Sequence, residues 1–238
     1  SNRWMLNLSR RWLRTLLIIV GIYAGLPILA PVLMHFGLTG PANVIYTVYS
    51  PLCHQFAFRS FFLFGEQPAY PRAAVNFPGL LPFDAFAADV ESATGSTANL
   101  SDWTVDLQLT AKQFIGDPVM GYKIAICERD IAIYLALFLA GLIYAIPAVR
   151  KHLRPVPFWL YILLGIMPIG IDGFSQLLGY PPFSFWPIRE TTPYFRVITG
   201  ALFGMMNGWL ALPYLEATAR DTVRELEEKF AARRQRGA

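Results

Sequence analysis

Two short stretches put ligand-competent side chains into an otherwise apolar chain: Cys53-His54-Gln55 and Cys127-Glu128-Arg129-Asp130. Together they hold both of the chain's cysteines and one of its three histidines. Two thiolates, an imidazole and a carboxylate form a set that zinc and other borderline divalent metals accept. Cys53, His54, Cys127 and Asp130 are therefore the candidate metal ligands. The same sulfurs would also serve a disulfide, closing a loop of about seventy-five residues worth ~4 kcal/mol in the chain-entropy model. Two unpaired thiols in apolar surroundings are the third reading.

Around these groups the sequence places Gln55, Arg59, Arg129, Asp172, Gln176 and Arg196. Asp172 and Gln176 are four apart and share a helix face. An ionisable residue inside an apolar run calls for a partner, and Arg129 and Arg196 are the expected partners of Asp172. No catalytic residue can be named. The chain has no phosphate-cradling glycine loop, nucleophile elbow or H-E-x-x-H helix.

The elements that must position these groups are membrane helices. A bilayer core of ~30 Å takes roughly 17–25 helical residues, and four runs are long enough: Leu13–Phe36, Asp130–Val149, Pro157–Gly179 and Tyr194–Leu215. The composition agrees, with 55% hydrophobic and 15% charged residues and a mean hydropathy of +0.40. A soluble fold of this size would expose more apolar surface than it could hide.

Lysine and arginine set the orientation, since cytoplasmic loops carry them in excess. They cluster at Arg3, Arg10, Arg11 and Arg14, at Arg150, Lys151 and Arg154, and in the tail at Arg220, Arg224, Lys229, Arg233, Arg234 and Arg236. Both termini are then expected in the cytoplasm, in a multi-pass protein of the plasma (inner) membrane. The net charge of +4 needs no nucleic acid to explain it. Basic residues at membrane ends are the topology signal, and a grip on anionic lipid.

A fifth apolar stretch, Ala42–Phe64, contains Asn43, His54, Gln55, Arg59 and Pro51. A full crossing there would turn the Arg150–Arg154 cluster outward, so it is expected to be re-entrant or interfacial. The expected architecture is an all-α membrane protein of four transmembrane helices, one such element and an extracytoplasmic lid-like loop. It divides into an anchor helix and re-entrant segment (1–64), an outer cap (65–126), a three-helix core (127–215) and a cytoplasmic helical tail (216–238).

The motifs also carry a resemblance. Cys53-His54-Gln55 with Arg59-Ser60-Phe61-Phe62, Gly121-Tyr122-Lys123 leading to Cys127-Glu128-Arg129 and Tyr134, Asp172-Gly173 with Gln176, and Arg196 before Gly200 resemble the bacterial and archaeal membrane family called domain of unknown function 2085. The likeness runs from about Tyr49 to Gly208. It implies a multi-spanning membrane protein with a Cys-His-Gln and a Cys-x-Arg-Cys element, and no established activity. Asp130 stands where the second element has cysteine.

Two functional readings follow. One is a membrane protein with an extracytoplasmic Cys/His/Asp site that binds a metal or does redox chemistry. The other is a non-catalytic accessory subunit of a larger membrane complex, with a structural Cys53–Cys127 disulfide. The lipid bilayer is a partner in both, and other membrane subunits in the second.

Overall fold

The computed structural model describes residues 3–75 and 77–236, with the backbone alone at 233, 234 and 236. Ser1-Asn2, Asn76 and the end of the tail at Gly237-Ala238 lie outside the described residues, as do the side chains of Arg233, Arg234 and Arg236. The chain is mostly helical. Among the described residues, three helices are long and apolar enough to cross a membrane: Trp12–His35, Phe158–Leu177 and Pro193–Ala232. The expected second span is α6, Glu128–Ala145, 18 residues, which spends its first turn on Glu128, Arg129 and Asp130. It stops four residues before Val149, because Pro147 starts a separate short helix, α7, Pro147–His152.

Helix α2, Trp12–His35, contains Pro27 and Pro31, and each proline removes the N–H that would bond the carbonyl four residues earlier. The freed carbonyls belong to Tyr23 and Pro27. The Tyr49 hydroxyl donates to Tyr23 O at 2.8 Å, and the Ala125 N–H donates to Pro27 O at 3.2 Å. Both defects are thus closed by outside donors, as an apolar environment requires. The donors come from α3, Thr39–Tyr49, and from the irregular segment just before Cys127, so the prolines dock the two halves of the site onto α2.

The expected re-entrant stretch is divided. The 11 residues of α3 give way at Ser50-Pro51 to irregular chain carrying Cys53 and His54, then a 3₁₀ turn at Ala57–Arg59 and strand β1, Phe62–Leu63. Here the all-α expectation needs correcting. Strand β3, Gly121–Lys123, pairs antiparallel with β1 and with β2, Gly116–Asp117. This small sheet, with α4, Ala87–Thr94, and α5, Val105–Gln113, encloses its own apolar core of Phe62, Tyr70, Phe83, Leu107, Phe114 and Met120.

Helices α8, Phe158–Leu160, and α9, Met167–Leu177, form one rod joined by a π-helical turn at Tyr161–Ile166. Pro168 stands two residues beyond its end, and the widened turn accommodates its ring. Helix α10, Pro193–Arg236, continues the last span into the tail without a break. It lies against α6 on Gly200, Gly204 and Gly208, where a Cβ would collide with Arg129 O, Ile133 O and Ala140 Cβ. Gly204→Ala should therefore lower stability by about 1–3 kcal/mol, although alanine alone favours a helix by about 1 kcal/mol. Thermal unfolding in detergent reads the sign directly.

Candidate functional site

Cys53 follows the last turn of α3, its N–H bonded to Tyr49 O at 3.1 Å. Two residues on, Gln55 has a φ of 55°, a left-handed conformation that costs a side-chain-bearing residue energy unless its surroundings hold it. They do. The buried Gln55 amide donates to Tyr46 O at 2.9 Å and to Ala125 O at 2.7 Å, and its own carbonyl accepts from Lys123 Nζ at 2.7 Å. The loop that presents Cys53 and His54 is thereby clamped between α3 and β3.

Lys123 is wholly buried. Besides Gln55 it reaches Ala111 O at 3.2 Å and Lys112 O at 2.7 Å, two carbonyls of the last turn of α5 that have no helical partner. A cation at a helix C-terminus is favourable. Burial nonetheless pushes the Lys123 ammonium down to about 7.

Cys127 is the residue just before α6, and its backbone N–H points at Cys53 Sγ, 3.3 Å away. Asp130 stands in the first turn of that helix, three residues on and so on the same face. Cys53 Sγ, Cys127 Sγ and an Asp130 carboxylate oxygen all lie within 4.8 Å of one another. Tetrahedral ligands with metal bonds of ~2.3 Å to sulfur and ~2.0–2.2 Å to oxygen stand somewhat under 4 Å apart, so a small adjustment would close the set on an ion. Both cysteines are free thiols. A hydrogen bond from Cys127 holds Cys53 below its ordinary thiol value against burial and Asp130, while giving that bond, and then burial, push Cys127 well up. His54 is exposed, with its ring beside Phe56 at 5.3 Å between centroids, and it stands outside the three-ligand group.

A cavity of about 370 Å³ opens here, with Cys53, His54, Cys127 and Asp130 among its lining residues. Arg59, Arg129 and Arg196 line it too. Asp172 receives Arg129, as expected, and Arg189 Nη2 at 3.6 Å. Gln176 Nε2 donates to the same carboxylate at 3.2 Å. The expectation that Arg196 also serves Asp172 is corrected. Arg196 Nη2 bonds Glu190 at 2.6 Å, and its Nη1 lies 3.4 Å from Glu128.

Glu190 is the hub that the sequence did not single out. Its buried carboxylate takes Arg196, Arg59 Nη2 at 3.0 Å, Arg72 Nη1 at 3.8 Å and the Tyr180 hydroxyl. Arg59 and Arg72 also stand 5.5 and 5.2 Å from the Trp103 ring centroid, within cation–π range. Burial pushes the Glu190 carboxyl up, but Arg59 and then Arg196 outweigh it and hold it below the ordinary carboxylate value. Among the described residues, Glu128 Oε1, Arg59 Nε and Arg129 Nε are buried without a hydrogen-bond partner.

Apolar helices long enough to span, a buried ionic cluster and a thiol pair beside it define a membrane protein whose thiols and ionic cluster share one end of its bundle. Residues 118–210 match the family model described as Predicted membrane protein (DUF2085). This bears out the resemblance over the part that contains Cys127, Arg129, Asp172 and Arg196; the Cys53-His54-Gln55 stretch precedes the matched residues. An uncharacterized protein of Methanocaldococcus jannaschii is 29% identical over 96 residues, covering 40% of this chain and 55% of that protein. The chain thus spans about half the length of the curated relative it matches. No solved structure matches it.

Proposed function

We propose that this protein holds a divalent, thiophilic metal ion, zinc or a close relative, at the extracytoplasmic end of a four-span bundle. The convergence of Cys53 Sγ, Cys127 Sγ and an Asp130 oxygen within 4.8 Å carries this reading. α6 supplies the fourth crossing, both termini are cytoplasmic, and residues 65–126 cover the outer face. His54, next to Cys53 on the cavity wall, is the candidate for a fourth position. Loading the site displaces the thiol protons, since only thiolates ligate. The surrounding arginines, each engaged by a carboxylate, set the local charge and orient Asp130 and the α6 terminus without themselves ligating.

Metal content together with thiol state tests the proposal. Protein purified without chelator should carry about one zinc or similar ion per chain and two alkylatable thiols. Cys53→Ser and Cys127→Ser should lose the ion, and Asp130→Ala should retain it more weakly. A chain two daltons lighter than its reduced form, resisting alkylation, would establish the disulfide and overturn the thiolate site. Two free thiols with no metal taken up at neutral pH would overturn it equally.

A further inference from the structure

At the opposite end of the bundle from the cysteines, a cavity of about 720 Å³ lies between α2 and α6. Its head is basic, formed by Arg10, Arg11, Arg14 and Arg150. Arg10 pairs with Glu227 at 2.6 Å and Arg150 with Glu216. Arg11 and Arg14 are exposed and make no ion pair among the described residues. Below them the walls turn wholly apolar, with Leu17, Ile18, Ile22 and Phe138.

Helical spacing makes this one continuous strip. Arg14, Ile18 and Ile22 recur every four residues, so they stack on a single face of α2. Ile18 and Ile22 are each more than half exposed. The groove has a floor because small residues let the helices close behind it: Gly21 lies against the Phe138 ring and Gly141 against Leu17. From Arg14 to Ile22 the strip runs about 12 Å at 1.5 Å per residue. That is less than half of a ~30 Å hydrocarbon core, the depth of one leaflet.

Just before the basic head comes α1, Arg3–Arg10. Trp4 and Leu8, four apart on one face, are 67% and 44% exposed. The helix also leans on the tail of α10 through the Arg10–Glu227 pair. Basic residues at the cytoplasmic ends of spans stand at headgroup level, which puts Arg11 and Arg14 there, at the start of the span, with the apolar strip beneath them.

We propose that this groove binds one anionic phospholipid, its phosphate on Arg11 and Arg14 and one acyl chain along Ile18, Ile22 and Phe138. Charge complementarity selects this occupant. Two uncompensated guanidiniums over an apolar slot match a headgroup of net negative charge joined to a hydrocarbon tail, and a basic residue near an anionic headgroup contributes about a fivefold change in binding. A zwitterionic lipid offers the same tail but no net charge. The proposal is independent of the metal reading, because no residue is shared between the two sites.

The test uses the full chain, delipidated in mild detergent and titrated with phosphatidylglycerol or phosphatidylcholine, with bound lipid counted by native mass spectrometry. One phosphatidylglycerol should be retained in preference to phosphatidylcholine. Arg14→Gln should weaken retention about fivefold, the Arg11→Gln/Arg14→Gln double variant further, and Arg14→Lys should recover most of it. Arg224→Gln, on α10 at the same end but paired with Glu228 and away from the groove, should change nothing. Gly21→Leu, which fills the slot beside Phe138, should abolish the preference; if that variant does not fold, the arginine series decides alone. Equal retention of the two lipids, or equal loss in Arg14→Gln and Arg224→Gln, would mean unspecific annular contact and overturn the proposal.

Discussion

Glu190→Ala is expected to cost about 3–5 kcal/mol of stability, the range seen when one partner of a buried ion pair is removed. The size follows from what is stranded. Arg59, Arg72 and Arg196 all converge on this one carboxylate, and the Arg72 and Arg196 side chains are no more than 6% exposed. Glu190→Gln should keep the shape and still lose much of the stability, since it removes the charge that all three need. The wild-type protein should also lose stability as the pH falls below about 4.3, the ordinary carboxylate value. The folded chain resists a proton that the unfolded chain accepts, so the contribution is complete above that value and declines as pH falls through the depressed folded one. Thermal unfolding in detergent across pH 3–6 should show this acid limb in the wild type and a shallower one in Glu190→Gln.

Lys123→Met should have a comparable effect for a different reason. Methionine fills the same volume but leaves the buried carbonyls of Gln55 and Ala111 and the half-buried one of Lys112 without a donor, at about 1–3 kcal/mol for each buried group left unsatisfied. The end of α5 and the clamp on Gln55 should loosen together. With the proposed metal site intact elsewhere, the ion should be held more weakly because Cys53 is two residues from Gln55. The pH dependence has the same sense as that of Glu190 but falls in a higher window. Between about 7, where burial places the folded ammonium, and its ordinary value of ~10.4, the unfolded chain holds a proton that the folded chain gives up. Stability therefore rises with pH in that window, and the gap between wild type and Lys123→Met should widen from pH 7 to pH 9. A gap that stays constant would mean that the three carbonyls keep Lys123 charged throughout.

Hydropathy located the apolar helices because length and composition are local properties: Leu13–Phe36 is Trp12–His35 in the structure, and Pro157–Gly179 is Phe158–Leu177. The helix from Glu128 was set to end too late, since a run of apolar residues hides the break that Pro147 imposes. The sheet escaped notice for the opposite reason. Its strands are two or three residues long, too short for any alternation to register, and they exist because distant segments meet. Cys53 and Cys127 could be brought together by depth alone. Which guanidinium meets which carboxylate could not, because that depends on the facing directions of α6, α9 and α10. Glu190 was hidden as a lone acid in the proline- and aromatic-rich link between α9 and α10. Its one signal was that a carboxylate stood six residues before Arg196.

The π turn at Tyr161–Ile166 fixes an angular phase. Each residue advances an α-helix by about 100°, and the wide turn takes up one residue more than an α turn would. Everything beyond it, Asp172 and Gln176 included, is therefore rotated by roughly that angle relative to an unbroken helix. Regularising this stretch to an α-helix at unchanged length would preserve the apolar character of the span, yet would swing the Asp172 carboxylate about a quarter-turn away from Arg129. The ionic cluster is thus indexed by a turn in the opposite half of the same helix, and the width of that turn must match the number of residues between it and Asp172.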